Sequence, residues 1–322
     1  MVTVVRYNHG LKEEWNKFAG ESRNGTFLFQ RNFMDYHSDR FSDHSVMLYK
    51  DSHIIALFPA NEEKGKISSH AGLTYGGLII AEETRLQDVI NCFYSILNYY
   101  EKFEIESVFY KQIPYYYFDI PSFEDEYVLF LLQAKLYRRD ASFLLEDGKG
   151  FKLQKGKKSN IGKAKKENVT VRLSTDYSLF WDKVLTPNLL KSHNIKPVHT
   201  KEEMNLLAEK FPKNIKLHIA TIGNEIVAGT VLFINRAVIN VQYISANERG
   251  KNTGALDYLF CELLTTYKEY KYFNFGIANE KDGYYLNTGL AQWKEGFGAR
   301  SVSHNFYEIN LANHSLLEKY VQ

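Results

Sequence analysis

AVINVQYISANERGKNTGALDYLFCELLTTY, residues 237–267, reads as a β-rich run, a short basic loop and an amphipathic helix. Immediately before it, LHIATIGNEIVAGTVLF at 217–233 turns at Gly223-Asn224, the kind of residue pair expected of a tight hairpin. The helix sets Leu256, Leu259, Phe260, Leu263, Leu264 and Tyr267 on one stripe. A β-prone run at 272–275 follows. The same order occurs earlier in the chain: a hairpin at 46–57 turning at Asp51-Ser52, a β-rich stretch at 67–80, a stripe of Leu86, Val89, Ile90, Phe93, Leu97 and Tyr100, and a β-prone run at 107–110. Ala56 matches Ala228 at an offset of 172, Leu86 matches Leu256 at 170, and Phe109 matches Phe275 at 166. A drift of this size is what altered loop lengths produce. The shared order implies duplication: two α/β (mixed α+β) domains in tandem, each a mixed β-sheet flanked by helices.

A chain of 322 residues with 44% apolar and 24% charged residues is an ordinary globular one, long enough for two cores. The run 128–132 is far too short to span a bilayer, and residues 1–10 lack an apolar signal core. No integral membrane segment and a cytoplasmic location are therefore expected. Cys92 and Cys261 both fall within the helical stripes, so small buried hydrophobes are expected rather than a disulfide or a zinc site, and no metal is expected. Nothing in the sequence specifies an oligomeric state.

The formal net charge is +2, yet residues 149–166 hold eight lysines and no acid. Asp147-Gly148-Lys149-Gly150 reads as a flexible joint, which divides the chain into 1–147 and 148–322. Ser159 could cap a short helix within the lysine run. Such a run is either a solvated basic turn or an anion clamp for a nucleotide-sugar diphosphate, coenzyme A phosphates or a tRNA backbone.

The two equivalent helices begin differently. Thr84 with Gln87 forms a T-x-x-Q capping box that would close the first. The second starts near Asn252-Thr253-Gly254-Ala255, preceded by Arg249, Gly250 and Lys251. Open amides there, at the positive end of the helix dipole, could hold a pyrophosphate; the alternative is an ordinary turn that Thr253 or Asn252 caps.

A strand followed by such a loop and helix resembles the acyl-CoA pyrophosphate site of GNAT-type N-acyltransferases. Arg249-Gly250-Lys251-Asn252-Thr253-Gly254 stands where their loop reads R/Q-x-x-G-x-G/A, with Asn252 in place of the first glycine. A resemblance covering more of the chain is to the Fem-type peptidoglycan aminoacyltransferases, which look like two GNAT domains in tandem. Asn160-Ile161-Gly162-Lys163-Ala164-Lys165-Lys166 resembles their N-I-x-K-A-x-K segment. Trp293-Lys294-Glu295-Gly296-Phe297 resembles their F-K-x-G-F signature, with Trp293 for the usual Phe. Ser69-His70-Ala71-Gly72-Leu73-Thr74-Tyr75-Gly76-Gly77 resembles their glycine-rich, substrate-facing strand.

The resemblance implies transfer of an acyl or aminoacyl group to an amine, with the acceptor in a cleft between domains. The inserted helical arm of some tRNA-using members is not evident, since Lys166 leads straight into the β-prone run 169–173. The chemistry asks for a base, an oxyanion donor and an acid for the leaving group. Lys294, where the signature places a functional lysine, is expected to stabilise the oxyanion. Glu280, after the strand at 272–276, is the candidate base, although 279–283 also reads as a polar turn. Tyr285 is the candidate acid. His70, Tyr75, Asn160, Lys163, Asn279 and Trp293 are expected on the acceptor. No P-loop or nucleophile motif is present. The leading expectation is an acyl-CoA-dependent N-acyltransferase acting on an amine of a cell-envelope glycan or amino-sugar precursor. The alternatives are a tRNA-dependent aminoacyltransferase on a peptidoglycan precursor and a noncatalytic binding module.

Overall fold

A computed structural model describes residues 2–146 and 151–321. The proposed joint at 147–150 lies outside the described residues. The chain divides into two compact units, Met1–Asp140 with Ser303–Gln322, and Ala141–Val302. The division falls inside the strand Lys135–Glu146, seven residues before the boundary read from sequence at 147/148, and the chain returns to the first unit through Arg300–Asn310. The return is driven by burial: Ile309, Leu311 and Leu317 join the core that the helix Leu86–Glu101 covers, and the Gln87 side chain donates to the Tyr320 carbonyl at 2.6 Å.

In the first unit, Val46–Lys50 and His53–Phe58 form the expected hairpin. Its two-residue turn holds Asp51 at φ 49 and Ser52 at φ 64, the left-handed pair that lets a short loop match the twist of its strands. Lys66–Ser68 runs parallel to Ser107–Lys111, which pairs antiparallel with 306–310. The stretch 67–80 is strand only at its ends, Lys66–Ser68 and Ile79–Ile80. Between them 69–77 is a loop rather than a glycine-rich strand, because the Lys111 ammonium gathers its carbonyls at His70, Ala71 and Leu73. The capping box is also shifted by one residue. Arg85 is the N-cap and Asp88 accepts its N–H, while Thr84 donates instead to the Ile55 carbonyl. Leu86, in the first turn, is largely exposed; the other stripe residues are core.

In the second unit, Val169–Ser174, Ile215–Ile222, Glu225–Asn235 and Val238–Ala246 form an antiparallel meander. Gly223 supplies φ 59 at the expected hairpin turn. Val238–Ala246 then pairs parallel with Tyr272–Ile277, which is antiparallel to 142–146 of the long strand. The helices Lys155–Lys166 and Ala255–Thr266 bury Ala164, Leu259, Phe260 and Leu263 on one face of this sheet. The other face carries Phe180, Trp181, Val184 and Leu185. Gly229 is forced there, since a Cβ would lie 2.7 Å from the Phe180 ring. The parallel pair thus recurs in each unit, Lys66 with Ser107 and Val238 with Tyr272. Among the described residues no helix is long and apolar enough to cross a membrane.

Candidate active site

The parallel ladder between Val238–Ala246 and Tyr272–Ile277 stops after Asn240 and Asn274. Side chains take over at that point: the Asn274 amide donates to Asn240 Oδ1 at 2.8 Å, and its oxygen accepts from the Ser142 hydroxyl and the Gly276 N–H. Gly276 sits at φ 76, a conformation that a side chain disfavours, and turns Tyr272–Ile277 out of the ladder. Opposite the Val231/Leu232 step, Gln242 is an extra residue in its strand. Bulges of this kind re-aim side chains beside functional clefts, and no glycine or proline marks this one in the sequence.

Lys294 reaches this opening from the helix Thr288–Glu295, whose N-cap Asn287 accepts from the Leu290 N–H. Its side chain is 2% exposed, and Nζ donates to the carbonyls of Gly276 at 2.8 Å and Ile277 at 2.6 Å. No carboxylate pairs with it among the described residues. Burial pushes its pKa down from the ordinary lysine value to about 7. Lys111 in the first unit, also pushed down to about 7 by burial, makes a useful contrast. All three of its protons are committed, to the carbonyls of His70, Ala71 and Leu73. An ammonium carries three donors, so Lys111 is spent on structure, whereas Lys294 commits two to these carbonyls.

Asp257, which sequence reading missed, fixes the helix that carries Lys294. Its carboxylate accepts from Trp293 Nε1, Lys157 Nζ and Asn160 Nδ2, each at 2.7 Å. The indole N–H gives a reason for Trp to stand at 293, where the resembled F-K-x-G-F signature has Phe: phenylalanine cannot donate. Lys157 lies 4.6 Å from both the Trp293 and Phe297 ring centroids. Gly296 makes room for its stem, because a Cβ would meet Lys157 Cε at 2.7 Å. Two stretches far apart in sequence, 157–164 and 293–297, are therefore joined through one acid. Its only signal was a lone carboxylate beside an apolar helical stripe.

The expected anion loop is helical instead. Residues 248–253 form a short helix with Asn247 as N-cap, whose side chain already accepts the Gly250 N–H at 2.8 Å. Arg249 is paired with Glu225, while Lys251 bonds Asn188 and lies 3.5 Å from Glu248. Thr253 donates to the Arg249 carbonyl. Asn252 is exposed. Gly250 and Gly254 are packing requirements: their Cβ atoms would lie 2.2 Å from the Val227 carbonyl and 2.5 Å from the Asn160 carbonyl. Gly254, at φ 73, ends this helix and begins Ala255–Thr266.

Glu280 and Tyr285 are exposed and face each other across a two-stranded ribbon, Asn279–Glu280 with Tyr285–Leu286. The segment between them is a turn with Lys281 and Asp282 in the left-handed region. Asn279 Oδ1 accepts the Ala141 N–H at 2.7 Å, which ties the ribbon to the long strand. Lys163 is exposed on its helix. His70 and Tyr75 belong to the first unit and are buried. His70 stacks on His37, and the Tyr75 hydroxyl donates to Thr26 Oγ1 at 3.1 Å. Within the second unit, then, Lys294, Trp293 and Asn160 are brought together, whereas Glu280 and Tyr285 form a separate surface pair. Cys92 is buried as expected and Cys261 only half-buried.

No protein-family model and no curated protein matches the sequence. Solved structures do match the fold. FemX superposes with a TM-score of 0.68 at 10% identity, over 98% of this chain and 99% of that one. L-PGS from Bacillus licheniformis gives 0.62 at 15%, over 96% and 94%, and a C-terminal domain assigned to lysylphosphatidylglycerol synthetase of Agrobacterium fabrum gives 0.61 at 14%, over 95% of each. A tandem GNAT protein from the clavulanic acid biosynthesis pathway gives 0.52 at 8%, over 97% and 99%. Both halves of the recurring strand–helix–strand order and these full-length superpositions agree: the chain has the tandem GNAT-like fold of the Fem-type structures.

Proposed function

We propose that this protein transfers an acyl or aminoacyl group from an activated carrier to an amine, with Lys294 as the donor to the developing oxyanion. The carrying observation is the Lys294 ammonium, buried with no carboxylate partner among the described residues and with two of its three donors committed to carbonyls at the opening of the sheet. A preorganised donor in a water-poor site stabilises charge far better than one in water. Lys294 is cationic over the lower part of the physiological range and needs no counter-ion that would compete with the oxyanion.

Charge favours an RNA-borne aminoacyl donor over acyl-CoA. The helix Lys155–Lys166 turns Lys155, Lys158, Lys163, Lys165 and Lys166 to solvent, opposite its buried Ile161 and Ala164, and none of the five is paired with a carboxylate among the described residues. A stripe of this kind suits a run of phosphates. A coenzyme A pyrophosphate at 249–254 must instead displace Glu225 from Arg249 and lie beside Glu248. The acceptor is proposed as an amine of a cell-envelope glycan, amino-sugar or lipid precursor, in keeping with a neighbour whose name denotes an aminoacylated lipid.

The test is to offer purified protein aminoacyl-tRNA or acyl-CoA with amine-bearing envelope precursors and to weigh the products by mass spectrometry. Transfer from aminoacyl-tRNA supports the whole reading. Transfer from acyl-CoA alone, abolished by Arg249→Gln with Lys251→Gln, would keep the reaction and move the donor site to 249–254. Absence of transfer from either donor by folded protein would overturn the proposal.

A further inference from the structure

The first unit has a recess that group transfer does not use. Residues in register on neighbouring strands share a face of the sheet, and Lys66, Ser107 and Asn310 form one such row across three strands. The next row, Ile67, Val108 and Ile309, points the opposite way and belongs to the core. The row of Lys66 therefore lies on the face turned away from that core. Phe109, two residues beyond Ser107, shares this face, and the Lys66 ammonium lies 5.5 Å from its ring centroid. Ser107 lies deepest, at 7% exposed, while Lys66, Glu106, Lys135 and Asn310 are exposed around it.

The recess holds about 390 Å³, within the range of small-molecule sites. It sits at the amino ends of the parallel strands Lys66–Ser68 and Ser107–Lys111. Lys111 and the loop 69–77 lie at their carboxyl ends, where α/β sheets usually bind ligands, so the recess is a separate place.

Every lining side chain is polar: Lys66, Lys135, Glu106 and Glu308, the Ser107 hydroxyl and three side-chain amides. The two cations and two carboxylates share the recess, yet none of the four forms an ion pair among the described residues. That combination selects a ligand class. An acyl chain or a nucleobase needs apolar or aromatic walls, which are missing from this lining. A phosphate or a polycation would meet as many like charges as opposite ones. A neutral molecule with one ammonium and one carboxylate satisfies both kinds at once.

We propose that this recess binds a small zwitterion, a free α-amino acid, with its carboxylate on the Lys66 and Lys135 ammoniums and its ammonium on the Glu106 and Glu308 carboxylates. Charge-assisted hydrogen bonds of this kind are the strong ones, and the Ser107 hydroxyl is left for a polar side chain of the ligand.

The experiment is calorimetric titration of the full-length protein with glycine, L-serine and L-glutamine. Glycinamide and N-acetylglycine, each lacking one of the two charges, and D-glucose, lacking both, are the controls. At least one amino acid is expected to bind with a Kd of about 1 mM or below, and each control about tenfold or more weaker. Lys66→Met and Glu308→Gln should each weaken the amino acid by about tenfold or more with the melting temperature kept. No saturable binding of any of the three at about 20 mM would overturn the proposal. So would a control that binds as tightly as the amino acids, or an affinity unchanged in both variants. Should Glu308→Gln not fold, Lys66→Met decides, since its side chain is exposed. Binding is read without turnover, so its outcome is independent of the transferase reading.

Discussion

Asp257→Ala is expected to remove more stability than any surface change in this protein. The side chains of Asp257 and Lys157 are only 5% and 9% exposed, and the carboxylate serves three donors. Burial already lowers the Lys157 pKa, and its bond to Asp257 pulls it back up. Truncating the acid leaves a buried ammonium unpaired, which costs about 3–5 kcal/mol, and strands the Trp293 indole N–H as well. For a unit of this size each kcal/mol lowers the melting temperature by roughly 2–4 °C, so a fall of about 6–20 °C is expected at neutral pH. Circular dichroism and calorimetry would read it. The double variant Asp257→Leu with Lys157→Met should recover most of the loss, because an apolar pair of similar bulk is no worse than a buried ion pair. A single-variant shift under about 2 °C, or a double variant as unstable as the single, would refute the reasoning.

Lys294→Met should raise the melting temperature. The folded lysine titrates near 7 against an ordinary value of 10.5, so the unfolded chain binds more protons between these values and stability climbs with pH across that window. The gain from Lys294→Met is therefore largest below pH 7 and fades above about 10.5; thermal melts at pH 6 and pH 10 with equal gains would contradict it. Gly254→Ala meets both a left-handed φ of 73 and the Asn160 carbonyl, and a loss of about 1–3 kcal/mol in urea unfolding is expected. Replacing Lys158, Lys163 and Lys166 by alanine should weaken tRNA binding and reduce the magnitude of its log–log salt slope by about 2, with no change in fold; an unchanged slope would remove this helix from the donor site.

Much of the fold was legible because periodicity reports burial directly. Both hairpins, both striped helices and the strands after them fall where the alternation of apolar residues puts them, and the left-handed pair at Asp51-Ser52 follows from its residue types. What sequence hid was long-range. Nothing local tells that residues 303–322 fold back onto the helix at 86–101, or that Asp257 holds Trp293 from a helix 36 residues away. Glycines were misread for a related reason. Gly250 and Gly254 resemble a phosphate loop, yet each is required by a neighbouring backbone carbonyl that only the tertiary structure brings near. Lys294 was singled out by its signature, but that no carboxylate pairs with it among the described residues is visible only in three dimensions.

The central claim is that Lys294 stabilises charge in the transition state. Its most direct test is the turnover of Lys294→Met under saturating donor and acceptor, beside donor affinity measured on the same preparation. The claim predicts a loss of about a hundredfold to a thousandfold in kcat with donor affinity unchanged. Turnover at the wild-type rate by the folded variant would contradict it.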